Sequence, residues 1–210
     1  MTKHLFILGA GGHGKVAADC ALLLGRYLSI SFLDARYPQL QQASQWPVVG
    51  KGDELSLYQT ADTEFFVAIG DNHTRQKVIK QLQALQCQLA TLIHPTAVVS
   101  QTDLVGAGTL ICANAVVNID TKIGVANIIN TCASVDHDCL VGDFVHIAPG
   151  VRVAGGVSIG DSSFIGIGSV IIPGKIVGTN CTLGAGSTLL GDMADNSVAV
   201  GSPAKVIKQQ

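Results

Sequence analysis

One triplet in this chain is built for proton chemistry: Asp136-His137-Asp138, set in a long stretch otherwise poor in charge. A carboxylate beside an imidazole stabilises the imidazolium and orients the ring, which is what a general base needs. The same triplet also fits a solvated polar corner. A second candidate lies near the start, where Gly9-Ala10-Gly11-Gly12-His13-Gly14 follows an apolar run and Asp34 comes twenty residues after Gly14. Glycines at that spacing let the backbone N–H groups of a helix start cradle a phosphate. The phosphate could belong to a nucleoside diphosphate or to NAD, and a purely structural tight turn stays open. His13 is not needed to make the turn. It either donates to a phosphate or sugar or is a surface residue beside a helix start.

The elements that carry these residues follow from period and texture. From Leu92 to Met193 the sequence divides into seventeen hexads without an insertion, and the second place of every hexad is aliphatic, from Ile93 and Val99 to Leu183 and Leu189. Four residues after each aliphatic stands mostly Ala, Ser, Thr, Cys or Val, and Gly recurs in a column at Gly106, Gly124, Gly142 and Gly160. A fixed period of six cannot be a set of helices, whose apolar spacing is three or four. It predicts a solenoid in which each hexad makes one short strand and one turn, with the aliphatic inward, the small residue in the tight interior and Gly supplying the turns.

Before Leu92 the texture alternates. His4 to Leu8 reads as a strand, Lys15 to Leu24 as a helix closed by Gly25, Leu28 to Leu33 as a strand ending at Asp34, and Glu64 to Ile69 as another. Asn72 reads as the N-cap of a second helix that carries Val78, Ile79, Leu82 and Leu85 at helical spacing. The expectation is a small Rossmann-like parallel sheet of about four strands. The domains expected are residues 1–91, an α/β nucleotide-binding unit, and residues 92–210, a parallel β-helix with a short C-terminal tail.

Thirteen Lys and Arg against fifteen Asp and Glu leave a formal net charge of −2, so there is no electrostatic footprint for nucleic acid or an anionic membrane. Only 13% of residues are charged while 24 are Gly, which suits many short, closely stacked turns. Six scattered cysteines without a C-x-x-C pair read as reduced, small apolar residues. No apolar stretch is long enough for a signal-peptide core or a membrane span, so a cytoplasmic location is expected. A zinc site is not expected: His137 and His146 are nine apart, on different faces of a hexad coil, and no H-x-x-x-x-H pair exists.

Taken in order, the glycine loop with His13, the run Val67-Ala68-Ile69-Gly70-Asp71-Asn72, Ile93-His94-Pro95, Asn130-Thr131 followed by Val135-Asp136-His137-Asp138-Cys139, and the closing Gly201-Ser202-Pro203-Ala204-Lys205 resemble one subfamily across essentially the whole chain. It is the hexapeptide-repeat sugar acetyltransferases of bacterial glycosylation pathways, with their sialic-acid O-acetyltransferase relatives. The resemblance implies a left-handed β-helix with three hexads per coil, a homotrimer with its active site in the cleft between subunits, and acetyl-CoA as co-substrate. It makes His137 the catalytic base, Asp138 the acid that raises its basicity, and Asp136 a second acidic place. His146, Ile167 and Ala185 match acetyl-CoA contacts, while Gly11, Gly12, His13, Asp34, Ile69 and Gly70 match positions that hold a nucleotide-sugar, and Asn130 matches an Asn near the acceptor. Where some relatives have a second acid after Asp34, this sequence has Ala35.

The activity so implied is acetyl transfer to the amino group, at the 4-position, of a nucleotide-linked deoxysugar that supplies surface polysaccharide or glycoprotein. One well-placed His suffices for a direct attack on a thioester, because an amine on a sugar ring is already partly neutral near pH 7. Gly155 comes eighteen residues, one coil, after His137, so its N–H is the candidate donor to the oxyanion. Two other readings remain from the sequence: O-acetylation of sialic acid or a similar sugar, and a non-catalytic β-helix scaffold with a nucleotide-sensing domain. The charged triplet argues against the scaffold.

Overall fold

The computed structural model describes residues 3–102 and 104–209, so Asp103, which ends the second hexad, lies outside the described residues together with Met1, Thr2 and Gln210. The chain forms two compact units, with the boundary between Pro95 and Thr96.

In the first unit β1 (Lys3–Leu8) runs parallel between β2 (Tyr27–Leu33) and β5 (Thr63–Val67), and Leu5, Ile7, Phe32, Phe65 and Phe66 form the apolar centre. The helices are α1 (Gly12–Leu23) and α2 (Asn72–Ala84). The sheet has six strands rather than four. A hairpin of β3 (Gln42–Ala43) and β4 (Trp46–Gly50) joins beyond β2, and β6 (Gln88–Leu89) joins beyond β5. These pieces are short and one carries Pro47, which lacks a ladder donor, so none gives a strand signal of its own.

Helix α1 begins at Gly12, three residues before the expected Lys15, because the glycine loop itself supplies the first turn. A Cβ on Gly14 would sit 2.0 Å from the Gly9 carbonyl oxygen, so only Gly lets the helix start this close to the end of β1. Gly25 ends α1 as expected, at φ +64° with its N–H on the Leu22 carbonyl. The cap of α2 differs from expectation: Asp71, not Asn72, stands at N-cap, its carboxylate accepting from the Thr74 N–H at 2.8 Å. Asn72 is the first helical residue and is buried.

From Leu92 the hexads become seventeen two-residue strands, β7 (Leu92–Ile93) to β23 (Thr188–Leu189), each on the first two places of its hexad. Within the second unit they pair in parallel at an offset of eighteen residues, as Leu110 with Ile128 and Ile129 with Ile147, which makes three sheets. The second-place aliphatics are buried throughout the middle coils, and the small residues four places on, Thr109, Ala115, Thr121, Ala133 and Ser163 among them, are fully buried. Their hydroxyls bond from coil to coil, Thr121 to the Asp136 carbonyl at 2.7 Å and Ser163 to that of Gly178 at 2.7 Å, so the interior holds polar atoms at no loss of hydrogen bonds.

The glycine column has a different cause from the one expected. A Cβ on Gly106 would come within 2.4 Å of the Gly124 backbone, and one on Gly160 within 2.6 Å of the Thr179 nitrogen, so Gly is there for the close approach of stacked coils. The left-handed backbone falls two places further on, at Asn114, Asp120, Ala126, Cys132, Asp138 and Phe144, with φ between 52° and 62°. Beyond the hexads the tail is not plain. β24 (Ser197–Val200) adds to β22 (Thr182–Leu183) at an offset of sixteen residues, and β25 (Lys205–Gln209) folds back on it antiparallel.

Candidate active site

The corner after β14 (Ser134–Val135) presents the charged triplet. Asp138 takes φ +58°, which turns the chain sharply and leaves both acidic and imidazole side chains outside the coil. His137 and Asp138 side chains are 56% and 68% exposed, and Nδ1 of the imidazole lies 2.8 Å from Oδ2 of Asp138. Asp136 faces the other way: its Oδ1 accepts from the His137 N–H at 2.9 Å and from Nδ2 of Asn118, one coil earlier, at 2.8 Å. The bond to Asp138, followed by the charge of Asp136, raises the His137 pKa above the ordinary histidine value. The bond from Asn118 holds Asp136 below the ordinary carboxylate range. With Nδ1 occupied by a carboxylate, Nε2 is left as the atom that can take a proton from a substrate.

Gly155 stands directly over this ring. A Cβ there would lie 2.6 Å from both Cε1 and Nε2 of His137. The stacking is fixed by the Gly156 N–H, which donates to the His137 carbonyl at 2.9 Å. Among the described residues no acceptor is bonded to the Gly155 N–H. The eighteen-residue reading thus brings base and candidate oxyanion donor into contact range.

His146 opens β16 (His146–Ile147) and pairs with Phe164, its ring edge-on to the phenyl at 5.2 Å. Asn130 reaches it from the previous coil, Nδ2 to Nε2 at 3.1 Å. The Thr131 N–H donates to Oδ1 of Asn130 at 2.8 Å, which fixes the amide with its NH2 toward the imidazole. Nε2 of His146 must therefore accept, and the neutral ring carries its proton on Nδ1. The resemblance matches Asn130 to an Asn near the acceptor; in the structure it is the group that sets the form of His146. Ile167 and Ala185, both exposed, stand in one column, since the Gly186 N–H donates to the Ile167 carbonyl at 2.8 Å.

The remaining candidates belong to the first unit. Gly11 caps α1, and a Cβ on Gly11, Gly12 or Gly70 would meet nothing within 4 Å, so all three face open space. Asp34 is more occupied than its sequence position suggested. Oδ2 accepts the Ala10 N–H at 2.7 Å, and Arg36 grips both oxygens, Nε at 2.7 Å and Nη2 at 2.9 Å. This fork, ahead of the loop bond from Ala10, pushes the Asp34 pKa well below the carboxylate range. Asp34 ties the glycine loop to the end of β2, and the Arg36 side chain that holds it stays 58% exposed. Burial, and next the positive charge of Arg75, push His13 down to about 4, so its imidazole is neutral at pH 7.

Arg36, Asn118 and Phe164 were not singled out from the sequence. Asn118 was within reach, because it precedes Asp136 by one eighteen-residue coil. Nothing in the pattern around Arg36 marks it.

Residues 4–82 match the PglD N-terminal domain and residues 156–191 the bacterial transferase hexapeptide model of six repeats. The acetyltransferase domain of PglB from Neisseria gonorrhoeae FA1090, solved in complex with acetyl coenzyme A, is similar over 99% of this chain and 100% of its own, with 38% identity and a TM-score of 0.95. PerB from Caulobacter crescentus, solved in complex with CoA and GDP-perosamine, is similar over 99% of both chains, with 36% identity and a TM-score of 0.92. UDP-N-acetylbacillosamine N-acetyltransferase of Bacillus subtilis (strain 168) is 32% identical over 109 residues, and the chain spans about half the length of this curated relative, 50%. The chain belongs to the acetyl-CoA-dependent, hexapeptide-repeat sugar acetyltransferases with a PglD-type N-terminal domain. Among the described residues, no helix is long and apolar enough to cross a membrane.

Proposed function

We propose that this protein transfers the acetyl group of acetyl-CoA to the 4-amino group of a nucleotide-linked deoxysugar, by direct attack with His137 as general base. The observation that carries the reading is the exposed imidazole held by Asp138 and lying against the Gly155 backbone. The amine nitrogen attacks the thioester carbonyl, Nε2 of His137 takes the amine proton, and the Gly155 N–H donates to the developing oxyanion. The C–S bond then breaks and CoA leaves as the thiol. Acetyl-CoA lies along the coils of His146, Ile167 and Ala185, with the Nδ1–H of His146 a donor to its carbonyl oxygens. The nucleotide is held by the glycine loop at Gly11, Gly12 and His13, by Ile69 and Gly70, and by the Asp34–Arg36 fork, while Asn130 stands near the acceptor. The bound cofactors and GDP-sugar of the PglB and PerB structures support the choice of ligands.

The working form is a homotrimer. Leu104, Leu140 and Ile176, each about half or more exposed, stand at alternate levels of one sheet of the coil with Lys122 and Ser158 between them, and a second copy would cover them. Incubation with acetyl-CoA and a panel of UDP-, dTDP- and GDP-linked 4-amino deoxysugars should give one N-acetylated product by mass spectrometry. Turnover confined to hydroxyl acceptors would replace this reading with O-acetylation.

Two consequences follow for the ligands. Ala185→Trp should obstruct the column it shares with Ile167 and raise the KM for acetyl-CoA about tenfold or more, leaving nucleotide affinity by calorimetry unchanged. Equal weakening of both would mean general damage. Asp34→Ala should weaken nucleoside diphosphate binding about tenfold or more, since a charge-assisted network is lost. It should also destabilise the fold. Because the folded pKa is depressed, that stabilisation is present above the unfolded value of about 3.9 and fades as pH falls through it toward the folded value. Thermal midpoints at pH 7 and pH 3 should therefore differ less between mutant and wild type at the lower pH. A gap of equal size at both would sink the ion-pair clamp.

A further inference from the structure

Helix α2 carries a buried cation that the chemistry above does not use. Arg75 is 1% exposed, the largest fully buried side chain among the described residues. Its Nη1 donates to the carbonyls of Ile69 at 2.9 Å and Gly70 at 3.2 Å, and its Nη2 to Oδ1 of Asn72 at 2.7 Å. A guanidinium is costly to bury, and a helix N-terminus is an unfavourable place for a positive charge. A neutral residue could fill the space more cheaply. The bonds show what the charge is used for: they turn two successive carbonyls inward, at the two loop residues proposed to meet the nucleotide-sugar, and hold the first residue of α2 to them.

We propose that Arg75 is a positioning residue for nucleotide-sugar binding, organising the loop 69–72 from inside the protein and acting on His13 by its charge alone. This rests on the nucleotide-sugar reading of the first unit. With carbonyls 69 and 70 tied inward, no acceptor oxygen of these two residues is turned against a phosphate. The second effect works through the field. Lys15, Asp19 and Cys20 on α1, Asp34 and Arg36 after β2, Asp71 before α2, and His73, Lys77 and Lys80 on α2 are the other charged or titratable groups on these elements. The charge of Arg75 acts on His13, adding to burial in disfavouring the imidazolium. A neutral imidazole both donates and accepts, so it can bond a sugar hydroxyl or a diphosphate oxygen without becoming a titrating charge in the site.

The test uses the full chain. The His13 imidazole is followed by NMR pH titration in wild type, Arg75→Gln and Arg75→Lys, and UDP, dTDP and GDP are titrated by calorimetry. In Arg75→Gln the His13 midpoint should rise from about 4 toward the ordinary value of about 6.5. The bound nucleotide should be held about tenfold or more weaker, with the KM for acetyl-CoA unmoved. Arg75→Lys keeps the charge and loses the fork, so it should keep the low midpoint while still weakening the nucleotide. It also keeps the proposal testable if the Gln variant fails to fold, since a risen midpoint in a folded Lys variant contradicts it. A His13 midpoint unchanged in Arg75→Gln, or nucleotide bound as tightly as by wild type, overturns the inference alone. Wild type that binds none of the three nucleotides overturns the nucleotide-sugar reading instead.

Discussion

His137→Ala should fold with an unchanged thermal midpoint and yet lose about 10²–10⁴ in kcat, the usual worth of a general base. The first half follows from exposure. The imidazole projects from a corner, its removal opens no cavity, and none of the coil-to-coil bonds at this level uses it: the Asp138 N–H meets the Ile119 carbonyl, the Gly156 N–H that of His137, and the Asn118 side chain the carboxylate of Asp136. The second half follows from the bond to Asp138, which leaves only Nε2 for a substrate proton. Asp138→Asn separates orientation from charge. The amide can still meet the ring, but the negative charge that raises its pKa is gone. The base is active when neutral, so kcat/KM rises with pH through the His137 pKa. In Asp138→Asn that rise should shift to lower pH while its plateau falls. A mutant His137→Ala keeping more than a tenth of normal turnover would remove the base assignment, and an Asp138→Asn profile superimposable on wild type would remove the role of Asp138.

The coil was legible because its grammar is strict: one aliphatic in the same place of every hexad fixes both strand and inward face, and the strands fall where that grammar puts them. The triplet was legible because charge is rare in those hexads. What escaped lies where the period breaks or where local signals compete. The closing pair β24 and β25 follows an offset of sixteen rather than eighteen, so no hexad announces it. Asp71 and Asn72 are both good caps side by side, and only the bond to Thr74 decides between them. The glycine column was visible, but sequence cannot tell a residue that needs positive φ from one that must admit a neighbouring backbone. Arg75 escaped because a charged residue on a helix reads as solvated, although its place three, four and seven residues before Val78, Ile79 and Leu82 puts it on the inward face.

That distinction among glycines makes Gly155→Ala the sharpest test of the site. Its φ lies outside the left-handed region, so an alanine backbone is unstrained there, and its N–H, the proposed oxyanion donor, is kept. The added methyl carbon meets no backbone nearer than the ring itself, 2.6 Å from Cε1 and Nε2 of His137. Because that ring is 56% exposed, it can swing into solvent, and the fold should lose no more than about 1 kcal/mol, the cost of an off-rotamer side chain. The ring cannot swing and also keep its place. A displacement of about 1 Å at a reacting group costs on the order of 10²-fold in rate, and that is the loss expected in kcat, with acetyl-CoA and nucleotide affinities held. The movement also loosens the bond to Asp138, so the pH at which kcat/KM rises should drop, as in Asp138→Asn. Turnover near wild type, with the thermal midpoint unchanged, would mean that the ring position has no part in the reaction and that base and oxyanion donor must be sought elsewhere. A large fall in stability would instead make Gly155 a packing residue like Gly106 or Gly160, where the obstacle is the next coil's backbone.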